Sequence, residues 1–309
     1  MKIKIVTNCT ARKAKVAPAI LRARSLPKGT LAAVAKEWGR RIASAEEKVP
    51  AGELYQGRAF REAMRAARLA KTPLTIISAG LGSIGEEDRI PAYSLTVSDD
   101  SVDAISRKIE HETFRPGAWW TALRRNGGTS KSLADWVRGT PDALFVLALS
   151  SAYLQLVLDE VLSFAQGDLE RLRLIGPRRE TDLPEELRPI HMPYDDRLDG
   201  AKSPIRGTES DFPQRAALHF VQMVHARPVQ ALEEHKRLVK EALEGWPRKC
   251  LPLRKKLPER DLRHAIKGVL RECNGHWSKA LRCLRDQHKI ACEQKRFKRI
   301  CDDILRGSS

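Results

Sequence analysis

The sequence predicts an α/β protein, a three-layer sandwich about a mainly parallel central sheet, with an all-α helix-turn-helix domain at its C-terminus. Short β-rich apolar runs recur along most of the chain with long helical stripes between them, the pattern of strand–helix alternation and parallel strands. Residues 260–309 carry three helical stripes parted by two turns and no strand pattern. The 309 residues are 42% apolar and 31% charged, which suits one large globular domain and one small one.

Residues 3–7 read as a buried first strand, in a segment too short and too alternating for a signal peptide. Residues 74–78, 143–149, 172–175 and 189–192 are the next four expected strands. Helices are expected at 57–69, with a stripe through Phe60, Ala63 and Ala67, and at 152–164, through Leu154, Leu156, Val157 and Val161. A third, at 216–224, follows the last strand. Right-handed crossovers place helices on both faces of such a sheet, and ligands bind beyond the carboxyl ends of its strands. The expected division is an α/β domain over 1–225, a helical basic linker over 226–259 punctuated by Pro247, Pro252 and Pro258, and the helix-turn-helix domain over 260–309.

The charge is uneven. Residues 248–309 hold 18 Lys/Arg against 7 Asp/Glu, a surplus of 11 out of +17 for the whole chain. That density suits a phosphate-binding surface. In the tail, Leu262, Ile266, Val269 and Leu270 form one stripe, and Asn274-Gly275 ends it. Ser278 is expected to cap a second helix over 278–285, in which the small Ala280 lets two helices approach. A third helix, 291–305, turns Phe297, Ile300, Cys301 and Ile304 inward and Lys295, Arg296, Lys298 and Arg299 outward. The run 275–281 resembles the start of the second helix in Fis-type DNA-binding domains, which implies that the third helix faces the major groove. Lys255, Lys256 and Lys279 join the cations expected on phosphate. The other reading is a basic three-helix cap with a solvated face. Double-stranded DNA is the expected partner, with no membrane and no obligate protein partner. No apolar run approaches the ~20 residues of a membrane-crossing helix.

Of the six cysteines, Cys9 stands alone, and Cys250, Cys273, Cys283, Cys292 and Cys301 are scattered through the tail with no C-x-x-C pair. Free thiols in a cytoplasmic protein are therefore expected, with no metal and no cofactor.

The strand ends supply the candidate site. Asn8, Cys9, Arg12 and Lys13 follow the first strand, within 36 opening residues that hold nine Lys/Arg and no acid. An amide, a thiol and two cations suit an anionic or base-like ligand, and the P-loop spacing is absent. Cys9 is either a thiol activated by Arg12 and Lys13 or a buried recognition residue. Ser78 and Gly80 mark a turn where backbone can approach a ligand closely, and Tyr93 is expected over the same edge. Asp195 and Asp196 follow the fifth strand, and Arg206, Thr208, Asp211 and Arg215 lie just beyond. A carboxylate at such a place stabilises the oxocarbenium-like transition state of glycosidic cleavage, so Asp195, Asp196 and Asp211 are the candidate catalytic residues. Helix capping, or pairing with Arg197, Arg206 and Arg215, is the alternative. Trp119 and Trp120 are expected either to stack on bases or wedge into a duplex, or to anchor the core. The loop 126–131 is a candidate phosphate contact, and Asp99-Asp100-Ser101 a helix start.

The first strand with residues 8–13, then 54–60, then 77–82 with Ile90, Pro91 and Tyr93, resembles a widespread bacterial family of uncertain function. That family is similar to the archaeosine-synthase core and to uracil-DNA-glycosylase-like folds. With a DNA-binding tail, the resemblance extends to anti-phage DNA glycosylases that remove glucosylated hydroxymethylcytosine. It covers about the first 100 residues by motif. Asn8 stands where the uracil-DNA-glycosylase pattern has a water-activating Asp, no acid occurs before Glu37, and that family's His-Pro-Ser motif is missing. The set at 194–215 must then supply the carboxylate. The resemblance implies a DNA base glycosylase that flips out a modified base and hydrolyses its N-glycosidic bond, in defence against phage. A base-exchanging transglycosylase acting on tRNA or DNA and a non-enzymatic DNA-binding regulator are the alternatives.

Overall fold

The structure, a computed structural model, describes residues 2–126, 131–228, 230–249 and 252–306. The chain forms two compact units, Met1–Lys249 and Cys250–Ser309. In the larger unit β1 (Lys2–Asn8) leads to α1 (Leu31–Ala43), β2 (Val49–Pro50), α2 (Ala51–Leu54), α3 (Arg58–Leu69), β3 (Thr75–Ser78), β4 (Gly82–Gly85) and β5 (Arg89–Ile90). There follow α4 (Pro116–Asn126), α5 (Leu133–Arg138), β6 (Ala143–Ala148), α6 (Ser151–Leu162), α7 (Gln166–Leu169), β7 (Leu172–Ile175), α8 (Phe212–Ala226) and α9 (Leu232–Leu243). The smaller unit holds α10 (Glu259–Glu272), α11 (Trp277–Asp286) and α12 (Gln294–Arg306).

Five strands form one sheet in the order β4-β3-β1-β6-β7, parallel except for β4, and β2 pairs with β5 in a separate antiparallel ladder. All six residues of β6 are buried, because a parallel strand covered on both faces reads as a continuous apolar run. Two groups of helices cover it. α3 and α8 pack against each other and on β1, β6 and β7; α4 packs with both α1 and α6. Alanines 63, 66 and 67 on α3 are buried, and such small side chains permit close helix packing. Thr30 caps α1 by accepting from the Ala33 amide, worth about 1 kcal/mol. That helix buries Leu31, Val34, Trp38 and Ile42.

The smaller unit has its own core of Leu262, Ile266, Val269, Leu270, Ala280, Leu281, Leu284, Phe297 and Ile300. No helix among the described residues is long and apolar enough to cross a membrane.

Several elements differ from expectation. The strand expected at 189–192 is a single parallel bridge, with Leu174 N donating to Ile190 O and Met192 N to Leu174 O, each at 2.9 Å. β4 occupies part of what read as a turn, hidden by glycines at both its ends. α8 begins at Phe212, earlier than expected, with Pro213 in its first turn, where a missing N–H costs nothing. Ser278 lies inside α11, whose N-cap is His276 without a side-chain cap bond. Residues 99–101 do not open a helix; a 3-10 turn at Ile105–Lys108 follows instead. The segment expected as linker contains α9, which packs on α8, and the two units part after Lys249.

Candidate functional site

β1 crosses over to β3 on one side and β6 to β7 on the other, so the carboxyl ends of β1 and β6 flank a topological switch point. Asn8 closes that point. Its Oδ1 accepts from the Ser150 amide and from Gln214 Nε2, each at 3.1 Å. Gln214 Nε2 also reaches Thr7 Oγ1 and Ala148 O at 3.1 Å, while its buried Oε1 has no partner among the described residues.

On one side of the α6 N-terminus is a small recess of about 50 Å³, lined by Cys9, Thr10, Ala11, Lys13, Ser94, Thr96 and Tyr153 among others. Cys9 Sγ lies 3.1 Å from Tyr153 Oη. Lys13 Nζ donates to Thr10 O at 3.1 Å and sits 4.3 Å from the centre of the Tyr93 ring. Burial lowers the Lys13 pKa against the opposing pull of Cys9. Behind it Tyr55, Tyr93 and Ser78 form a buried hydroxyl chain with links of 2.8 and 2.6 Å, and Ser78 Oγ accepts from the Leu81 amide at 3.0 Å. Burial, then the neighbouring Cys9, pushes the Tyr55, Tyr93 and Tyr153 phenols well up, so they are neutral hydrogen-bonding groups. Gly80 must be glycine: a Cβ there would lie 2.7 Å from the Tyr93 ring. Asn8, Cys9, Lys13, Ser78, Gly80 and Tyr93 thus meet at one edge. Arg12 is exposed, and its carbonyl accepts from Thr10 Oγ1 at 3.0 Å.

On the other side of the α6 N-terminus is a cavity of about 360 Å³, lined by Ser150, Ser151, Gly176, Pro177, Arg178, Arg179, Asp182, Glu209, Phe212 and Pro213. The first turns of α6 and α8 both border it, a setting that favours anions. The ends of β6 and β7 come close there because residue 176 is glycine; a Cβ would lie 2.1 Å from Leu149 O. Arg178 stacks over Phe212 at 4.4 Å. Arg179, Asp182 and Glu209 are exposed and form no ion pair among the described residues. Sequence reasoning missed all four of Arg178, Arg179, Asp182 and Glu209, as well as Tyr153 and Gln214. Arg178 and Arg179 directly follow a strand-ending Gly-Pro, which was the available signal.

The candidate acids are engaged elsewhere. Asp211 is buried, accepts from the Thr208 amide at 2.8 Å and from Arg215 Nε at 2.6 Å, and caps the turn before α8. Arg215 is 1% exposed and also bonds Asp199 Oδ1, Ile205 O and Thr208 O. Neither residue offers a free polar face to substrate: Asp211, expected as a catalytic acid, and Arg215, expected to bind substrate, are joined in a buried ion pair. Thr208 Oγ1 bonds Ser210, and exposed Arg206 gives its carbonyl to Arg58 at 2.5 Å. Asp195 accepts two bonds from the Arg197 guanidinium Nε, 2.9 and 3.1 Å long, and faces Arg248 at 3.4 Å. Burial pushes its carboxyl up, but the Arg197 hydrogen bonds and both arginine charges win and hold it below the usual range. Asp196 pairs with Arg248 at 2.8 Å.

Trp119 and Trp120 are core anchors. They are 0% and 2% exposed, and their indole N–H groups donate to Ala79 O and Glu160 Oε2 at 2.8 and 2.9 Å. Neither ring is free to stack on a base. In the smaller unit Lys255, Lys256, Lys279, Lys295, Lys298 and Arg299 are exposed, and Arg296 pairs with Glu259. Residues 127–130 of the expected phosphate loop lie outside the described residues. Another recess, about 510 Å³, lies among α1, α4 and α6; it is lined by Arg115, Arg125 and Asp159 but by no thiol, hydroxyl-bearing strand end or histidine.

No protein-family model matches the chain, and no curated protein sequence matches it.

Proposed function

We propose that this chain is a DNA base glycosylase, in which a helix-turn-helix formed by α10–α12 holds the duplex and the carboxyl edge of the sheet receives one nucleotide turned out of the stack. The observation that carries this reading is the 360 Å³ cavity, a ligand-sized space lined by two arginines and two carboxylates, in which Arg178 is held by Asp199 at 3.0 Å while Arg179, Asp182 and Glu209 form no ion pair among the described residues. Arg178, Arg179 and the α6 N-terminus suit a phosphate. Asp182 and Glu209 replace Asp195, Asp196 and Asp211 as the acids placed to stabilise a sugar cation or orient water. The resemblance of residues 8–13, 54–60 and 77–93 to uracil-DNA-glycosylase-like proteins favours the same chemistry. A glucosylated hydroxymethylcytosine, as in modified phage DNA, is the first substrate to try.

The test is incubation with DNA carrying a panel of modified and damaged bases, followed by assay of abasic sites and free base. Release by the native protein, reduced a hundredfold or more in Asp182→Asn or Glu209→Gln, is expected. Absence of release from every substrate overturns the reading. Incorporation of labelled free base without abasic sites would point instead to base exchange, and a specific footprint without chemical change to a regulator.

A further inference from the structure

The smaller unit gathers a second cluster of reactive side chains. Cys273 ends α10, and Asn274 and Gly275, at φ 50° and 77°, reverse the chain. Cys283 sits in the last turns of α11. Past the end of that helix, the Gln287 and His288 amides both donate back to Cys283 O, at 2.9 and 3.2 Å, and Lys289 takes φ 54°. The imidazole is thereby folded back toward the thiol and toward Glu272, at the end of α10.

One ligand atom each from Glu272, Cys283 and His288 lies within 4.8 Å of the others. Cys283 Sγ is 3.5 Å from Glu272 Oε2, and His288 Nε2 is 3.6 Å from the same oxygen. A tetrahedral zinc ion, with metal–sulfur distances of about 2.3 Å and metal–nitrogen or metal–oxygen distances of about 2.0 Å, sets its ligand atoms roughly 3.5 Å apart. Two edges of that tetrahedron are already in place.

We propose that Glu272, Cys283 and His288 supply three ligands of a binding site for a zinc-class divalent ion, with solvent as the fourth. On binding, the Cys283 thiol proton leaves to solvent as the sulfur takes up the ion. In the metal-free site the Cys283 thiol donates to Gln287 Oε1 at 3.0 Å, a bond that is given up when the thiol loses its proton. The expectation of no metal rested on the missing C-x-x-C spacing. Here the ligands come from two helix ends and one turn, so close spacing in sequence is not required. The ion would tie the end of α10 to the turn that precedes α12, and the site stands independently of the glycosylase reading.

The test uses the full chain, reduced and stripped with a chelator, titrated with Co²⁺ in the absence of nucleic acid. Thiolate-to-cobalt charge-transfer absorption saturating at one equivalent is expected. It should vanish in Cys283→Ser, fall in affinity at least tenfold in His288→Ala, and persist in Cys9→Ser. Zn²⁺ should displace the cobalt and raise the melting midpoint of the native chain, but raise it less in His288→Ala. No charge-transfer band in folded protein, or a band that survives Cys283→Ser, overturns the proposal. If Cys283→Ser fails to fold by circular dichroism, the His288→Ala affinity and melting shift decide: unchanged values overturn it.

Discussion

Gln214, on the first turns of α8, donates to Oδ1 of Asn8 at the end of β1 across 3.1 Å. The same oxygen takes the Ser150 amide at the head of α6, so one asparagine ties together two crossovers that run in opposite directions from the sheet. The polar cost of burying the switch point is offset there by a single acceptor.

Asn8→Ala should therefore lower stability by about 1–3 kcal/mol, because it strands the Ser150 amide and removes one of the three acceptors around Gln214 Nε2. Asn8→Asp keeps the acceptor and should cost less. Urea denaturation of both variants measures the difference; equal losses would mean that the acceptor is not what matters.

Removing Arg215 takes away the buried partner of Asp199 and Asp211 and leaves them only the more exposed Arg178, at 3.0 Å, and Arg58, at 3.5 Å. Arg215→Ala should cost about 3–5 kcal/mol, read from the denaturant midpoint. Asp211→Asn should likewise lower stability but leave turnover per folded molecule intact. A variant that is stable yet inactive would return Asp211 to the chemistry.

DNA affinity should follow the cations of α11 and α12. Each phosphate contact contributes about −0.9 to the slope of log K against log salt on duplex DNA. The double variant Lys298→Ala/Arg299→Ala should flatten that slope by about 2 if each exposed side chain meets one phosphate, as measured by fluorescence anisotropy across a salt series. An unchanged slope would remove this face from the interface.

Stability should fall with acid through His219. Burial lowers its pKa to about 4, below the ~6.5 of an unfolded histidine, and Tyr194 Oη lies 2.9 Å from its Nδ1. The folded state thus holds the neutral ring while the unfolded state takes up a proton. The contribution is fully present above pH ~6.5 and is lost as pH falls toward 4, to a total of up to about 3 kcal/mol. His219→Gln should flatten the denaturant-midpoint profile over that window. A profile as steep as that of the native chain would assign the effect to other groups.

The parallel sheet was legible because β1, β3, β6 and β7 are short apolar runs between helical stripes. The runs could not show that 189–192 touches the sheet through one bridge only, since its pairing depends on where β7 ends. Asn8, Cys9, Lys13, Ser78 and Gly80 were picked out from strand ends and Tyr93 from the segment downstream of the second, and the fold brings these residues to one edge of the sheet. Asp211 and Asp195 are each paired with an arginine four and two residues ahead, and sequence spacing does not say whether such a pair closes on itself or opens toward substrate. Trp119 and Trp120 look like stacking surfaces in sequence, yet both rings are swallowed by the packing of α4 with α1 and α6. Arg178 and Arg179 were overlooked because the cavity they line also needs Glu209 and Phe212 from a segment some thirty positions later.

The two apolar clusters are separate, one within residues 1–249 and the other within 250–309. Calorimetry should accordingly trace two endotherms rather than one, with the larger heat from the larger core. If the larger unit carries the proposed glycosylase site and α10–α12 the proposed duplex grip, a lesion that melts α10–α12 would leave a variant that processes a free nucleoside while ignoring a duplex.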